Sequence, residues 1–447
     1  MITLVVFTGA LFFSLQGKPR LEITPENALL DMPIKISVSN LKPHEQVTIK
    51  TSQQFEDNSV WESSAVFKAD NQGSIDVAGQ APISGSYHGV DGMGLFWSML
   101  PAESASVPSV RPDEIAISVF SQDKLLTQKK ITRTSISSDV EQKDISRDGV
   151  VGTFFYPKNM KSGPAIITLT GSSGGISKTI SQLLASHGYA VLALGYFGMP
   201  GLPDKLEEIP LEYFQNAIHW LKKQPQVDPN CVALWGVSYG GELVMLLGST
   251  FPTEINAIVA YVPSNLVYGG IPNFNKPAWT FKNQPLSFMP MPTTEELLSA
   301  VKEGKVPFHM GTVEDPQEPT LLYLYGLNKF SEFIDKSAIP VENIRSPLLL
   351  LTGEDDKLWP STLYANRIIQ RLDQKRSLIE RKHIHFQGAG HYFELPYAPA
   401  CTTHPYFHPV VKLWCTMGGI PQDNAHASIA AWNEALRFLK QHLGCNR

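Results

Sequence analysis

From Leu21 to about Thr134, apolar and polar residues alternate in short runs: "IKISVSNL", "QVTIKTS", "SAVFKAD" and "IAISVFS". A period of two belongs to a half-buried strand, and Asn, Asp, Gly and Pro punctuate the runs. Several such strands at this spacing predict an all-β sandwich of immunoglobulin-like size over residues 21–140. The stretch "SYHGVDGMGLFWSMLPAE" interrupts the alternation. Its glycines and large apolar residues predict a segment packed on the neighbouring domain. From Gly149 the pattern changes to continuous apolar runs: "AIITLTG", "YAVLALGYF", "CVALWG", "INAIVAYVP" and "PLLLLTG". Helix-length stretches lie between them, such as "LEYFQNAIHWLKKQ", with Phe214, Ile218 and Leu221 at helical spacing. Strands alternating with helices predict βαβ units around a mostly parallel sheet, an α/β domain over 149–447. A Pro-, Gly- and aromatic-rich stretch of weak periodicity, about 264–345, is expected to form a lid or binding insertion.

Composition narrows the partners. The 447 residues carry 37 lysines and arginines against 42 acids, a net charge of -5 without any basic block, which speaks against nucleic acid. Cys231, Cys401, Cys415 and Cys445 are too few for a disulfide scaffold and leave the redox compartment open. Cys231 opens an apolar strand and is expected in the core. At the start, Ile2 to Leu15 is uncharged and apolar, yet too short to span a bilayer. It reads as the core of a signal peptide cleaved after Gly17, or else as an N-terminal extension of residues 1–20. Export leads, although no lysine or arginine precedes the run. No other segment approaches membrane-spanning length.

The chemistry centres on "LWGVSYGGEL", where Ser238 stands between Gly236 and Gly240. A short apolar strand runs straight into this serine and a helix leaves from it. So tight a reversal predicts a nucleophile elbow, with glycines where side chains would collide with backbone. The amides of the helix N-terminus favour a developing negative charge at the same spot. A serine needs a general base, and the base an orienting carboxylate. In this fold class the acid and then the histidine follow in chain order. "PLLLLTGEDDKLWP" ends a late strand with Asp355 and Asp356, one of which is the candidate acid. "KHIHFQGAGHYFELP" offers His383, His385 and His391. The first two lie within a strand, whereas His391 follows Gly388-Ala389-Gly390, a flexible loop able to reach the sheet's carboxyl edge. The oxyanion hole requires two backbone amides, one from Tyr239 and one from the loop Gly171–Gly175, where Ser172 and Ser173 are both candidates. That loop lacks the Walker lysine and the dinucleotide fingerprint, and no cofactor is expected. Cys401, His404, His408 and Cys415 have spacings a zinc ion tolerates, but the expectation is ordinary loop residues and no metal.

The residues "MGLFWSMLPAE", "GVSYGGEL", "TGEDDKLWPSTLYAN", "GAGHYFELPY" and "AHASIAAWNEALRFLKQHL" together resemble the acyl-CoA thioesterase and bile-acid-CoA:amino-acid N-acyltransferase family. The resemblance runs from about Leu21 to Leu443. It implies an α/β-hydrolase domain preceded by a β-sandwich, acting on acyl-CoA thioesters without a cofactor. By motif, the nucleophile maps to Ser238, the acid to Asp356 and the base to His391. Members that transfer acyl groups to glycine or taurine carry cysteine at the nucleophile, so serine implies hydrolysis to free acid and CoA. Intracellular thioesterases of the family commonly have lysine after the nucleophile, where this chain has Tyr239. An exported carboxylesterase, an N-acyltransferase and a binding protein with an inactive hydrolase domain are the alternatives.

Overall fold

The computed structural model describes residues 17–55, 58–102, 113–400 and 405–444; the apolar leader, Cys401, His404 and Cys445 lie outside them. The second part of the chain builds one sheet from eight strands: β1 (Val140–Arg147), β2 (Val150–Pro157), β3 (Gly163–Leu169), β4 (Ala190–Leu194), β5 (Val227–Val237), β6 (Ala257–Tyr261), β7 (Leu348–Gly353) and β8 (Arg381–Phe386). Their order is β1-β2-β4-β3-β5-β6-β7-β8. β1 and β2 pair antiparallel and β2 joins β4 antiparallel; every later pairing is parallel.

The longer helices of this part are α1 (Lys178–Ser186), α2 (Leu211–Lys222), α3 (Tyr239–Thr250), α4 (Thr294–Lys302), α5 (Pro319–Lys329), α6 (Ser361–Gln374) and α7 (Pro421–His442). α1 and α7 cover one face of the sheet, while α2, α3 and α6 cover the other. The strand residues divide accordingly by the period of two: Ile167, Leu234, Ile258 and Leu350 face α3, and Ile166, Trp235, Val259 and Leu349 face α7. Both faces are dry. That is why β4, β6 and β7 are buried at every position and read in sequence as unbroken apolar runs.

The first part of the chain is a β-sandwich. Arg20–Thr24, Lys35–Ser39 and Ile75–Asp76 form one sheet; Gln46–Gln54, Val60–Lys68, Glu114–Ser121 and Lys124–Thr134 are the long strands of the other. Gln46–Gln54 and Val60–Lys68 alternate buried and accessible positions along their lengths, as strands covered on one face should. The interrupting stretch supplies a single helical turn, Gly94–Trp97, buried throughout. Trp97 meets the ring of His426 on α7, and its carbonyl accepts from the amide of Ala400. The sequence thus anticipated its packing correctly. Arg133 completes the junction: buried, it donates to the carbonyls of Met32 and Tyr397 and lies over the Phe96 ring at 4.9 Å. Trp432 Nε1 on α7 donates to Asp31 at 2.9 Å.

Cys231 is buried as expected, and in addition it is disulfide-bonded. Among the described residues, no helix is long and apolar enough to cross a membrane.

Candidate active site

Ser238 sits where β5 turns into α3, with φ 60° and ψ -120°. A left-handed backbone at a non-glycine residue costs about 1–3 kcal/mol, so its surroundings must hold it there. They do so with hydrogen bonds on both sides. The Ser238 amide donates to the Tyr261 carbonyl at 3.0 Å, and the Ser238 carbonyl accepts from the Glu242 amide at 2.9 Å. The flanking glycines are required by contact: a Cβ at Gly236 would stand 2.0 Å from the Gly240 carbonyl oxygen. One at Gly240 would stand 2.4 Å from that of Thr170.

The loop after β3 crosses directly over the serine. A Cβ at Gly171 would lie 3.0 Å from Ser238 Cβ and 3.4 Å from its Oγ. The two oxyanion candidates on this loop then part company. Ser172 lines the cavity that contains Ser238 and Tyr239. Ser173 is exposed, and its Oγ bonds Tyr406 OH at 2.7 Å.

Of the two adjacent aspartates, Asp356 points inward. Its Oδ1 accepts from the amides of Leu358 and Trp359, and its Oδ2 accepts from Ser361 Oγ at 2.6 Å and His391 Nδ1 at 2.8 Å. A carboxylate can only accept, so His391 carries its proton on Nδ1 and leaves a lone pair on Nε2. That Nε2 is buried and has no hydrogen-bond partner; no hydrogen bond joins it to Ser238 Oγ. Asp355 points outward instead, to Lys357 at 3.1 Å and to the Gly419 amide at 2.9 Å. His383 and His385 stay on β8, bonded to Thr352 and Glu354.

The expected flexibility before His391 is not found. The amide of Gly390 donates to Asn424 Oδ1 at 2.8 Å, that of His391 to the Met417 carbonyl at 2.7 Å, and the Ala389 carbonyl accepts from Asp355. A Cβ at Gly390 would come within 2.2 Å of the Gly418 carbonyl. Here the glycines are needed for the close packing of backbone.

Above Ser238 lies a cavity of about 240 Å³. Its walls are apolar: Phe274, Met291, Leu297, Phe308 and Met310 come from the 264–345 stretch, and Leu358 and Trp359 follow the acid. The 264–345 stretch thus supplies one wall of this cavity. Tyr239 is fully committed to structure, its ring stacked on Trp359 at 5.5 Å and its hydroxyl donating to the Gly269 carbonyl. Glu242, one turn into α3, is buried and accepts from Trp279 Nε1 at 3.0 Å. Burial pushes its carboxyl up to about 8.

Trp359 and His408 were not singled out as pocket residues from sequence. For Trp359 a signal existed, since Asp356 followed by two free amides makes a local turn that must deliver the third residue beside it. His408 was expected to be an ordinary loop residue. It is buried and lines the cavity. Among the described residues no group of histidine, cysteine and acidic side chains could hold a metal ion.

The profile described as the BAAT/acyl-CoA thioester hydrolase C-terminal region matches residues 209–445, and the acyl-CoA thioester hydrolase/BAAT N-terminal region matches 31–147. The chain belongs to this family. Acyl-coenzyme A thioesterase 1 of Homo sapiens is 30% identical over 93% of this chain and 94% of its own length. The mitochondrial acyl-coenzyme A thioesterase 2 of Homo sapiens is 31% identical over 93% and 82%. Acyl-coenzyme A amino acid N-acyltransferase 1 of Mus musculus is 29% identical over 95% and 98%. Among solved structures, a dienelactone hydrolase-like promiscuous phosphotriesterase from metagenomic libraries covers 69% of this chain at 16% identity and a TM-score of 0.40. By its own sheet order and elbow, this family member has the α/β-hydrolase fold behind a β-sandwich, as the family resemblance implied.

Proposed function

We propose that the chain hydrolyses acyl-CoA thioesters to free acid and CoA through an acyl-enzyme on Ser238. One observation carries the reading: a serine held at φ 60° on an elbow opens into an apolar cavity, at the same sheet edge as a buried Asp356–His391 pair. His391 Nε2 takes the proton as Ser238 Oγ attacks the thioester carbonyl carbon, and Asp356 stabilises the imidazolium. The amides of Tyr239 and Ser172 receive the oxyanion. The C–S bond breaks as His391 returns its proton to the CoA sulfur, and CoA leaves as the thiol. Water, losing a proton to the now neutral His391, then attacks the acyl-serine; the ester C–O bond breaks as His391 passes that proton to Ser238 Oγ, and the acid is released.

Nucleophilic serine favours water over an amine as acceptor, by the family resemblance. The disulfide at Cys231 supports the exported reading, since such bonds persist in oxidising compartments; sequencing the mature N-terminus tests it. For the activity, thiol release from a series of acyl-CoAs is the direct measurement. Wild type should turn over, and Ser238→Ala should lose on the order of 10⁴-fold or more. Near-normal thiol release by that variant ends the proposal. An N-acyl product on adding glycine or taurine would move the chain to the transferase branch. Activity on p-nitrophenyl esters alone would move it to carboxylesterases.

A further inference from the structure

A short hairpin contributes more to this cavity than packing. Tyr406–Phe407 pairs antiparallel with Trp414–Cys415, and between and beside these strands His408, Val411, Leu413 and Cys415 line the cavity with Ser238. The same hairpin grips the loop after β3 twice. Tyr406 OH bonds Ser173 Oγ at 2.7 Å, and His408 Nε2 bonds Ser172 Oγ at 2.8 Å.

Direction can be assigned to the second contact. His408 Nδ1 accepts from the amides of Val410 and Val411, each at 3.2 Å. A ring nitrogen that accepts carries no proton, so the neutral ring's proton is on Nε2. Burial keeps the ring neutral, lowering its pKa to about 4. His408 is therefore the donor to Ser172 and cannot be its base, which excludes a second serine–histidine nucleophile in the cavity. Having accepted from His408, the Ser172 hydroxyl retains its own proton for another acceptor. Among the described residues Ser172 Oγ has no other hydrogen-bond partner. The residue before it, Gly171, lies against Ser238 closely enough that a methyl there would touch Oγ at 3.4 Å.

We propose that the Ser172 hydroxyl is a third donor to the oxyanion formed at Ser238, and that His408 is the positioning residue that aims it. The proposal rests on the acyl-enzyme reading above and adds to it a side-chain donor beside the two backbone amides. A hydroxyl that accepts one hydrogen bond becomes a stronger donor in the next. Held in place before reaction, it costs no reorganisation when charge develops.

The test separates the hydroxyl from the backbone amide, which every variant keeps. Ser172→Ala should lower kcat on palmitoyl-CoA by on the order of 10- to 100-fold with KM within about two-fold, since only transition-state binding is lost. Ser172→Thr and His408→Gln, which preserve the hydroxyl and an N–H donor, should recover most of the rate. His408→Ala should fall with the same split, and the Ser172→Ala/His408→Ala double variant should be no slower than Ser172→Ala. Unchanged kcat in Ser172→Ala overturns the proposal; so does a His408→Ala loss confined to KM, or one that multiplies with Ser172→Ala. The same variants are also compared by the rate of fluorophosphonate labelling at Ser238, which needs no CoA. If wild type is labelled but releases no thiol from any acyl-CoA, the substrate reading fails while the labelling rates still decide the role of Ser172. If Ser238 is not labelled, both fall.

Discussion

The floor and the wall of the cavity are built by different rules. The floor is close-packed around glycines: Gly236 against Gly240 and Gly390 against Gly418, backbone on backbone at distances a single methyl would violate, and Gly171 tight over the Ser238 side chain. The wall is side chains from the insertion, several only partly covered. Met310 lines the cavity while 67% exposed, and Leu298, next to the lining residue Leu297, is 53% exposed. Its helix α4 buries only Ala300 and depends on a capping box between Thr293 and Glu296. On the proposed function, catalytic geometry would rest on close contacts around glycines, and acyl recognition on looser side-chain contacts. Reaction type would then belong to the floor, and substrate range to the wall.

Four changes would break or sharpen that contrast. Asp356→Asn should lower kcat by on the order of 10⁴-fold, because the amide presents a donor to His391 Nδ1 and disfavours the required tautomer. Asp355→Asn, one residue away, should stay within about two-fold, so equal losses in the two variants would undo the assignment of the acid. Gly240→Ala places a Cβ 2.4 Å from the Thr170 carbonyl oxygen. It should cost about 3 kcal/mol or more of stability, read from urea denaturation; a wild-type midpoint would mean the floor can yield. On the wall, Leu297→Asp should raise KM for a long-chain substrate by about ten-fold, near 1.4 kcal/mol, with kcat little changed. A collapse of kcat instead would show that the wall also sets the chemistry.

The smallest effect concerns pH. Glu242 has its pKa raised from 4.5 to about 8 by burial. Its neutral form is the one the fold accommodates, so its stabilising contribution is complete below 4.5 and is lost as pH rises through about 8. Glu242→Gln should therefore show a melting temperature that declines less between pH 6 and 9, about which differential scanning fluorimetry decides. An unchanged slope would remove Glu242 from the account. Glu394, raised to about 7 by burial while accepting from Trp235 Nε1, acts with the same sign. His383 and His408 act oppositely, each lowered from 6.5 to about 4, so their contribution is lost as pH falls from 6.5 through 4.

Much of the floor was legible because its signals are local. A buried strand, Gly-x-Ser-x-Gly and a helix are contiguous, and the strained turn they require is a property of a few adjacent dihedrals. The sandwich and the parallel sheet were legible for a related reason: alternation and unbroken apolar runs record whether one face or two are dry. Other features left no such trace. Asp355 and Asp356 differ by one position and by nothing in composition, yet only Asp356 turns into the interior. Gly388 to Gly390 read as a flexible loop because glycine is permissive in isolation; the side chain of Asn424 and the backbone of Met417, brought up by the fold, make it a tight fit.

By itself, then, the amino-acid order determined the two-part architecture, the elbow, and the chain order of the candidate serine, aspartate and histidine, since periodicity and turn chemistry act over a few residues. The family motif implied Asp356 over Asp355, and the structure places Asp356 against His391; tertiary structure alone decided which loop serine faces the cavity, and that His408 reaches Ser172 across a separation of 236 residues. Those choices depend on distances between segments that folding brings together, and no local pattern encodes a distance between chain positions so far apart.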